Sequence, residues 1–234
     1  MAILRELGAN AVRLSHYQHP QCFYDLCGRE GLVVWAEIHM PDDESLLENA
    51  CAQLTELILQ NLHHPCVCFW GLQNEIAIAG ETFAMYRNVE RLQSLAKKLD
   101  PTRLTTSSNL NSVKNNSPLN HITDVVAYNI YFGWYYGKME EYADFLDKFQ
   151  QDNPNVALGV SEYGVDANPS FHADVPRVKD YSEEFQALFH ETVYPILNRS
   201  SVWGTFVWNL FDFGSALRNE GGTKGRQVQR PCQL

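Results

Sequence analysis

Apolar and polar residues alternate along this chain in blocks of two lengths. Short runs rich in β-branched and aromatic residues are separated by longer segments in which apolar positions recur with a helical period. This order is typical of repeated βα units around a parallel sheet. We predict seven strands, near residues 11–15, 32–37, 67–72, 104–107, 125–130, 156–162 and 202–210.

The longer segments between these strands predict helices. Pro20 opens the first of them, because a proline fits the first turn of a helix. The connection over residues 109–123 is polar and predicts a loop with a short turn. The helices are expected at residues 20–29, 44–62, 82–99, 139–151 and 182–198.

This pattern predicts an α/β fold, a (β/α)8 TIM barrel that lacks its first strand and its last helix. The 234 residues, 45% of them hydrophobic, suffice for one such domain. The chain opens in a short helix over residues 3–7, which Gly8 closes as a C-terminal cap, so we expect a strand before Met1. The prediction is an incomplete barrel domain over residues 1–225, followed by a tail, 226–234, without helical period.

Composition limits the expected partners. The net charge is −10 and Lys and Arg do not cluster, so nucleic acid is not an expected partner. No run of about 18 apolar residues and no signal-peptide pattern occurs, so no membrane contact is expected. The six cysteines lie mostly in apolar runs, which favours reduced thiols and a cytoplasmic protein. An unclosed barrel exposes two sheet edges, and we expect a homo-oligomer to cover them.

Two predicted strands end in the same kind of sequence. One runs into Asn74 and Glu75, and the other ends at Glu162 within Ser-Glu-Tyr-Gly. Side chains at the carboxyl ends of barrel strands converge on one mouth. A pair of carboxyl groups is what a retaining glycosidase needs, since one protonates the leaving oxygen and the other attacks the sugar. We assign Glu75 as the acid/base and Glu162 as the nucleophile. A solvated loop carboxylate is the alternative for either residue alone.

Other polar residues at strand ends are candidates for substrate binding. Arg13 is expected to keep Glu162 ionised through a charge-assisted hydrogen bond, with a structural salt bridge as the alternative. Trp208 stands beside the polar Asn209 and suits a stacking platform for a pyranose face, with core packing as the alternative. The predicted substrate-binding residues are Arg13, His16, His39, Asn74, Tyr131 and Trp208, and Glu37 and Asn209 are the further polar residues at strand ends.

No metal or cofactor is expected from the motifs. Three imidazoles can bind zinc, but His16, His19 and His39 form no close pair on a helix, and neutral histidine equally suits hydrogen bonds to sugar hydroxyls. The chain has no Gly-x-Ser-x-Gly elbow, no Gly-x-Gly-x-x-Gly and no Walker-type loop. Serine hydrolysis and nucleotide cofactors are therefore not indicated.

Several segments together resemble a known family. They are LRELGANAVRLSHYQHP, FYDLCGREGLVVWAEI, HHPCVCFWGLQNE, DVVAYNIYFGWYYGK, GVSEYG and GTFVWNLFDFG. With them, the chain from Ile3 to about Gly225 resembles the catalytic barrel of glycoside hydrolase family 2, which contains β-galactosidases and β-glucuronidases. The resemblance implies that Glu75 is the acid/base and Glu162 the nucleophile. It also implies substrate contacts for the candidates His16, His39, Asn74, Tyr131 and Trp208.

The resemblance also bears on the sugar. β-Glucuronidases resemble one another in an Asn-x-Lys element that grips the uronate, and the corresponding stretch here reads Gly222-Thr223-Lys224. The missing asparagine favours a neutral sugar, and NIYFGWYYGK looks most like bacterial β-galactosidases. We therefore expect hydrolysis of terminal β-D-galactosides. The alternatives are a β-glucuronidase of the same family and a truncated barrel remnant without catalytic activity. Some family members bind magnesium near the acid/base, but their other ligands do not map onto this chain.

Overall fold

The structure, a computed structural model, describes residues 1–39, 44–220 and 223–227. The chain divides into two compact units. The first consists of Met1–Asn129 and Asn153–Gly159, and the second of Ile130–Asp152 and the described residues from Val160 onward.

Five strands of the first unit form a parallel sheet in chain order. Each pairs in parallel with the next strand along the chain, as repeated βα units require. These strands are β1 (Ala11–Leu14), β2 (Val33–Glu37), β3 (Val67–Asn74), β4 (Leu104–Leu110) and β5 (Val125–Asn129). The helices are α1 (Ala2–Glu6), α2 (Gln21–Glu30), α3 (Leu47–Asn61) and α4 (Phe83–Leu99), with 3-10 turns at Glu44–Leu46 and Pro118–His121.

Helix α4 shows how local sequence sets these elements. The Thr82 side chain accepts a hydrogen bond from the backbone N–H of Met85 and so caps the first turn. Met85, Val89, Leu92 and Ala96 then recur at helical spacing and are buried. The helix therefore starts where its cap lies and buries one apolar face. None of the helices in the described ranges is long and apolar enough to cross a bilayer.

Glycine residues end two helices of the first unit. Gly8 follows α1 with a φ of +67°, and Gly31 follows α2 with a φ of +71°. This left-handed backbone suits glycine because it lacks the Cβ that would clash. The cap predicted at Gly8 is confirmed.

A third glycine makes room in the sheet interior. Gly71 lies on β3, where an added Cβ would come within 2.3 Å of Trp35 Nε1 and 2.4 Å of Glu37 Cβ. Both β2 side chains are fully buried. The absence of a side chain at Gly71 therefore lets Trp35 and Glu37 pack against β3.

The second unit contains a parallel strand pair and a hairpin. The last four residues of β6 (Leu158–Tyr163) belong to this unit and pair in parallel with β7 (Thr205–Val207). Helices α5 (Glu141–Asp152) and α6 (Glu183–Arg199) contact each other, with the rings of Tyr142 and Phe189 6.3 Å apart. Strands β8 (Phe213–Glu220) and β9 (Thr223–Gln227) pair in antiparallel fashion.

The seven predicted strands and five predicted helices are confirmed, with shifts at their ends. The last predicted strand is shorter than expected, since only Thr205–Val207 is regular. The β8–β9 hairpin was not predicted, because its first strand is poor in β-branched residues. The Gly-Gly pair between its strands is a hairpin signal that could have revealed it. Residues 228–234 of the predicted tail lie outside the described residues.

We predict that Gly71→Ala destabilises the protein by about 1–3 kcal/mol, because the new methyl group overpacks Trp35 and Glu37. Chemical denaturation measures this change. Gly28→Ala is the matched control: Gly28 lies within α2, and its added Cβ would meet only Cys66 Sγ, at 3.9 Å. That variant should be neutral or gain about 0.5–1 kcal/mol. Equal stability of Gly71→Ala and the wild type would contradict the packing described.

Candidate active site

Predicted site residues of the first unit cluster at the carboxyl ends of neighbouring strands. Arg13 lies on β1, and His16 follows that strand by two residues. His39 comes two residues after β2, Asn74 ends β3, and Glu75 follows directly. Parallel pairing of β1, β2 and β3 brings these strand ends to one edge of the sheet.

A buried ion pair lies at the centre of this cluster. Arg13 Nε donates to Glu37 Oε2 at 2.8 Å, and Arg13 Nη2 donates to Glu37 Oε1 at 2.9 Å. The two side chains are 2% and 0% exposed, so water does not screen the pair. The Arg13 guanidinium also lies 4.8 Å from the centre of the Trp35 ring. The bidentate contact fixes the orientation of the guanidinium plane.

The charge of Glu37 depends on its partners. Burial alone would raise the pKa of the Glu37 carboxyl, but Arg13 and a hydrogen bond from His16 outweigh burial and hold the pKa below its usual range. Removing one partner from such a pair would leave the other as an uncompensated buried charge.

Two histidines lie beside the ion pair. His16 Nδ1 lies 2.8 Å from Glu37 Oε1, and the ring is partly accessible. The ring of the exposed His39 is centred 6.1 Å from that of His16. A carboxylate at Nδ1 favours a hydrogen on that nitrogen, so the pair orients the His16 ring.

Glu75 is linked to the ion pair through two amides. Arg13 Nη2 donates to Asn74 Oδ1 at 2.9 Å. Asn129 Nδ2, at the end of β5, donates to Asn74 Oδ1 at 3.1 Å and to Glu75 Oε1 at 2.8 Å. The structure therefore brings Arg13, Asn74 and Glu75 together, as their common position at strand ends predicts.

The backbone at Glu75 is unusual for a residue with a side chain. Its φ is +53°, in the left-handed region that costs a non-glycine residue about 1–2 kcal/mol. Its N–H donates to the Ser108 carbonyl at 2.9 Å, and its carbonyl accepts from Ile78 N–H at 3.1 Å. These bonds hold the turn that carries the Glu75 side chain out of β3, and such strain is common at functional sites.

The second unit holds the other predicted carboxylate. Glu162 lies on β6 and is 6% exposed, and the Tyr131 hydroxyl donates to its Oε2 at 2.8 Å. The Glu162 carbonyl accepts from Ile130 N–H at 2.8 Å, which aligns this part of the chain with β6. Tyr131 and Glu162 are predicted site residues from the ends of two different strands, and they are in direct contact.

Trp208 follows β7 close to the end of β6. Its N–H donates to the Tyr163 carbonyl at 2.8 Å. Gly164 lies against it, since an added Cβ would come 2.7 Å from the Trp208 carbonyl oxygen. The Trp208 ring is half-buried and meets Phe213 edge-on, with ring centres 6.1 Å apart. The stacking role of Trp208 stays a prediction.

Two of the histidines considered as zinc ligands contact other side chains of the protein. His16 contacts Glu37, and the ring of His19 stacks on Tyr17 at 6.0 Å. Burial is the main effect on His19 and lowers its pKa. Within residues 1–39, 44–220 and 223–227, no three His, Cys, Asp or Glu side chains form a group able to hold a metal ion.

Two contacts of the candidate site are not predicted from the sequence. Glu37 was noted only as a polar residue at a strand end, whereas it is the direct partner of Arg13. Asn129 is not among the predicted site residues because the sequence predicts a strand that reaches Ile130, whereas β5 ends at Asn129. The rule of polar residues at strand ends would have found Asn129 with the correct boundary. The contact predicted between Arg13 and Glu162 stays a prediction.

Comparisons with known proteins agree on one family. Residues 1–221 match the model of the glycosyl hydrolases family 2, TIM barrel domain. A β-glucuronidase of Bacteroides fragilis is 40% identical over 96% of this chain and 34% of its own length. The crystal structure of an FMN-binding β-glucuronidase from Facaelibacterium prausnitzii is similar, with a TM-score of 0.94 and 45% identity over 98% of this chain and 36% of that one.

A third match carries a different name. The structure of a candidate β-galactosidase from Bacteroides fragilis has a TM-score of 0.90 and 32% identity, over 98% of this chain and 35% of that one. The chain spans about a third of the length of these relatives. The predicted TIM-barrel fold is confirmed by the family model and the structural matches.

The Arg13–Glu37 pair yields a prediction for stability. Glu37→Gln removes the carboxylate charge that Arg13 contacts through two hydrogen bonds and should destabilise the protein by about 3 kcal/mol or more at pH 7. Because the pKa of Glu37 is lowered on folding, its stabilising effect is complete above the ordinary value of 4.5 and is lost as pH falls through the folded value. The difference between variant and wild type should therefore shrink below pH 4.5, as measured by denaturation at several pH values.

Glu184→Gln serves as the control for this experiment. Glu184 pairs with His172 at 2.9 Å, but both side chains are exposed. Its replacement should change stability little, because solvent screens such pairs. A Glu37→Gln variant as stable as Glu184→Gln at pH 7 would show that the buried pair is not needed for folding.

Proposed function

The chain belongs to glycosyl hydrolase family 2, and on this premise we propose that it forms the catalytic barrel of an enzyme that hydrolyses β-glucuronides with retention of configuration. The choice of a glucuronide as the substrate rests on one observation: almost the whole chain matches relatives named β-glucuronidase. The chemistry rests on Glu75 and Glu162, each at the carboxyl end of a strand and each hydrogen-bonded to a neutral donor.

The first step forms a covalent intermediate. A Glu162 carboxylate oxygen attacks the anomeric carbon as the bond from that carbon to the leaving oxygen breaks. The electron pair of this bond goes to the leaving oxygen, which takes a proton from Glu75. The products are the protonated leaving group, a glycosyl ester of Glu162 and an ionised Glu75.

The second step reverses the role of Glu75. Its carboxylate takes a proton from water while the water oxygen attacks the anomeric carbon and the bond to Glu162 breaks. Two displacements at the same carbon restore the original configuration. Both glutamates return to their starting protonation states.

Neighbouring residues prepare the nucleophile for this reaction. The Tyr131 hydroxyl donates a hydrogen bond to Glu162 Oε2 at 2.8 Å. The bond restricts rotation of the carboxyl group, which orients the attacking oxygen. We propose substrate-binding roles for six residues, each at the end of a strand or within two residues of one: Arg13, His16, His39, Asn74, Tyr131 and Trp208.

A β-galactosidase is the second candidate. The structural match to the candidate β-galactosidase of Bacteroides fragilis favours it, as does the segment NIYFGWYYGK. The sequence-based preference for a neutral sugar rests on the stretch from Gly222 to Lys224, and Gly222 lies outside the described residues. Relatives named β-glucuronidase are more numerous among the matches, and we therefore place the glucuronide first.

Replacing the two glutamates should have different effects. Glu162→Gln should abolish formation of the glycosyl-enzyme with every substrate, because the amide is a poor nucleophile. Glu75→Ala should lower kcat roughly 10²–10⁴-fold for poor leaving groups and far less for dinitrophenyl glycosides, which need no proton. Added azide should restore turnover only in Glu75→Ala, and the product should be a β-glycosyl azide detectable by mass spectrometry.

Glu184→Gln is the control, since this exposed carboxylate lies in the first turn of helix α6 rather than at a strand end. It should keep wild-type turnover. Wild-type turnover in both Glu75→Ala and Glu162→Gln would rule out the assignment. No turnover by the wild type on any glycoside would favour the non-catalytic barrel remnant.

The sugar specificity is tested by comparing two substrates that differ only in their sugar. We predict that kcat/KM for 4-nitrophenyl β-glucuronide exceeds that for 4-nitrophenyl β-galactoside by 100-fold or more, as a site that pairs with a carboxylate discriminates strongly against a substrate without one. The two substrates share a leaving group, so their ratio reports the sugar alone. A ratio below one would support the β-galactosidase instead.

A further inference from the structure

A chain of hydrogen bonds in the first unit runs from Arg13 through Asn74 and Asn129 to Glu75. The chemistry of Arg13 determines which atom donates and which accepts in each of these bonds. A guanidinium group can only donate. The atom of Asn74 that lies 2.9 Å from Arg13 Nη2 must therefore be the carbonyl oxygen Oδ1. The side-chain amide of Asn74 thus has one allowed orientation, with its NH₂ group turned away from Arg13.

The orientation of Asn74 fixes that of the next amide. Asn74 Oδ1 is an acceptor, so the Asn129 atom 3.1 Å from it must be the NH₂ nitrogen, Nδ2. The same nitrogen lies 2.8 Å from Glu75 Oε1. Its two hydrogens serve the two oxygens, and Glu75 Oε1 consequently accepts a hydrogen bond.

An oxygen that accepts this bond is a poor place for the proton of a carboxylic acid. A hydrogen on Glu75 Oε1 directed at Asn129 would meet an N–H group instead of a lone pair. The proton of the acid form therefore belongs on Oε2. The same bond fixes the rotation of the carboxyl group, because Asn129 Nδ2 is itself held by Asn74.

The start of this chain is held by a buried charge. Glu37 binds Arg13 through both of its carboxylate oxygens, and both side chains are almost completely buried. Arg13 cannot turn away without breaking both of its bonds to the buried Glu37 carboxylate, which is costly. The direction of the whole chain is therefore a built-in property of the folded first unit.

We propose that Asn129 is a positioning residue for Glu75: held by Arg13 through Asn74, it keeps the transferable proton on Glu75 Oε2 and directs that oxygen at the leaving group. This inference rests on the proposed role of Glu75 as the acid/base. It predicts a defect in proton transfer to the leaving group, whereas a merely structural role would lower activity equally for all substrates.

The experiment compares two substrates with the same sugar, 2,4-dinitrophenyl β-glucuronide and phenyl β-glucuronide. The first needs no proton on departure and the second does. The measured quantity is kcat/KM for the dinitrophenyl substrate divided by kcat/KM for the phenyl substrate. In Asn129→Ala, this ratio should rise 10-fold or more over that of the wild type. Asn129→Asp keeps the shape but replaces the N–H donor by an acceptor, and its ratio should rise in the same direction.

Asn109→Ala is the matched control. Asn109 is also a buried amide at a strand end, where it accepts from Gln73 Nε2 at 2.8 Å and donates to Asn120 Oδ1 at 3.0 Å. Its replacement removes two buried hydrogen bonds but none to Glu75. Any loss of activity should be equal for both substrates, which leaves the ratio at its wild-type value.

Each outcome bears on one claim. An unchanged ratio in Glu75→Ala itself would reject the proposed acid/base. A raised ratio in Glu75→Ala with unchanged ratios in both Asn129 variants would reject only the positioning role. A fluorinated glucuronyl inactivator with a dinitrophenolate leaving group counts the folded active sites, as it needs no acid. Loss of this labelling in both Asn129 variants would also overturn the inference, because Asn129 would then be structural.

Discussion

The candidate site of the first unit depends on the ion pair between Arg13 and Glu37. Both groups are removed from water, and such a pair is tolerated only when its geometry and remaining hydrogen bonds are good. Here the carboxylate receives two bonds from Arg13 and one contact from His16, and Gly71 leaves the space in which it packs. The pair then sets the orientation of Asn74 and, beyond it, of Asn129. This buried ion pair thus determines which atoms face Glu75.

The two proposed catalytic carboxylates share one local design. One oxygen of Glu75 accepts from the Asn129 amide, and one oxygen of Glu162 accepts from the Tyr131 hydroxyl. Asn129 and Tyr131 are two residues apart, at the end of β5 and just beyond it. Each of these neutral donors limits the rotation of the carboxyl group that it contacts. This suits a reaction in which one group must release and regain a proton and the other must form and break a bond.

Much of this arrangement was predictable from sequence because it follows from periodicity. Apolar runs of strand length located the strands, and abrupt polar endings located Arg13, Asn74, Glu75 and Glu162 at strand ends. Contacts between side chains were harder to predict. Glu37, which lies on the neighbouring strand, is a partner of Arg13 that the sequence did not single out, since pairing of β1 with β2 decides which side chains meet. The sugar preference was predicted from a stretch near Gly222 and points to a galactoside, whereas two relatives that match almost the whole chain are named β-glucuronidase.

The central claim is that Glu162 forms a bond to the sugar while Glu75 moves the proton. The most direct test is inactivation with a 2-deoxy-2-fluoro-glucuronyl fluoride, followed by peptide mass spectrometry. We predict one sugar per chain, carried by the peptide that contains Glu162, and faster loss of the label when a glycosyl acceptor is added. A label on any other residue, or hydrolysis of glucuronides with inverted configuration, would contradict the account.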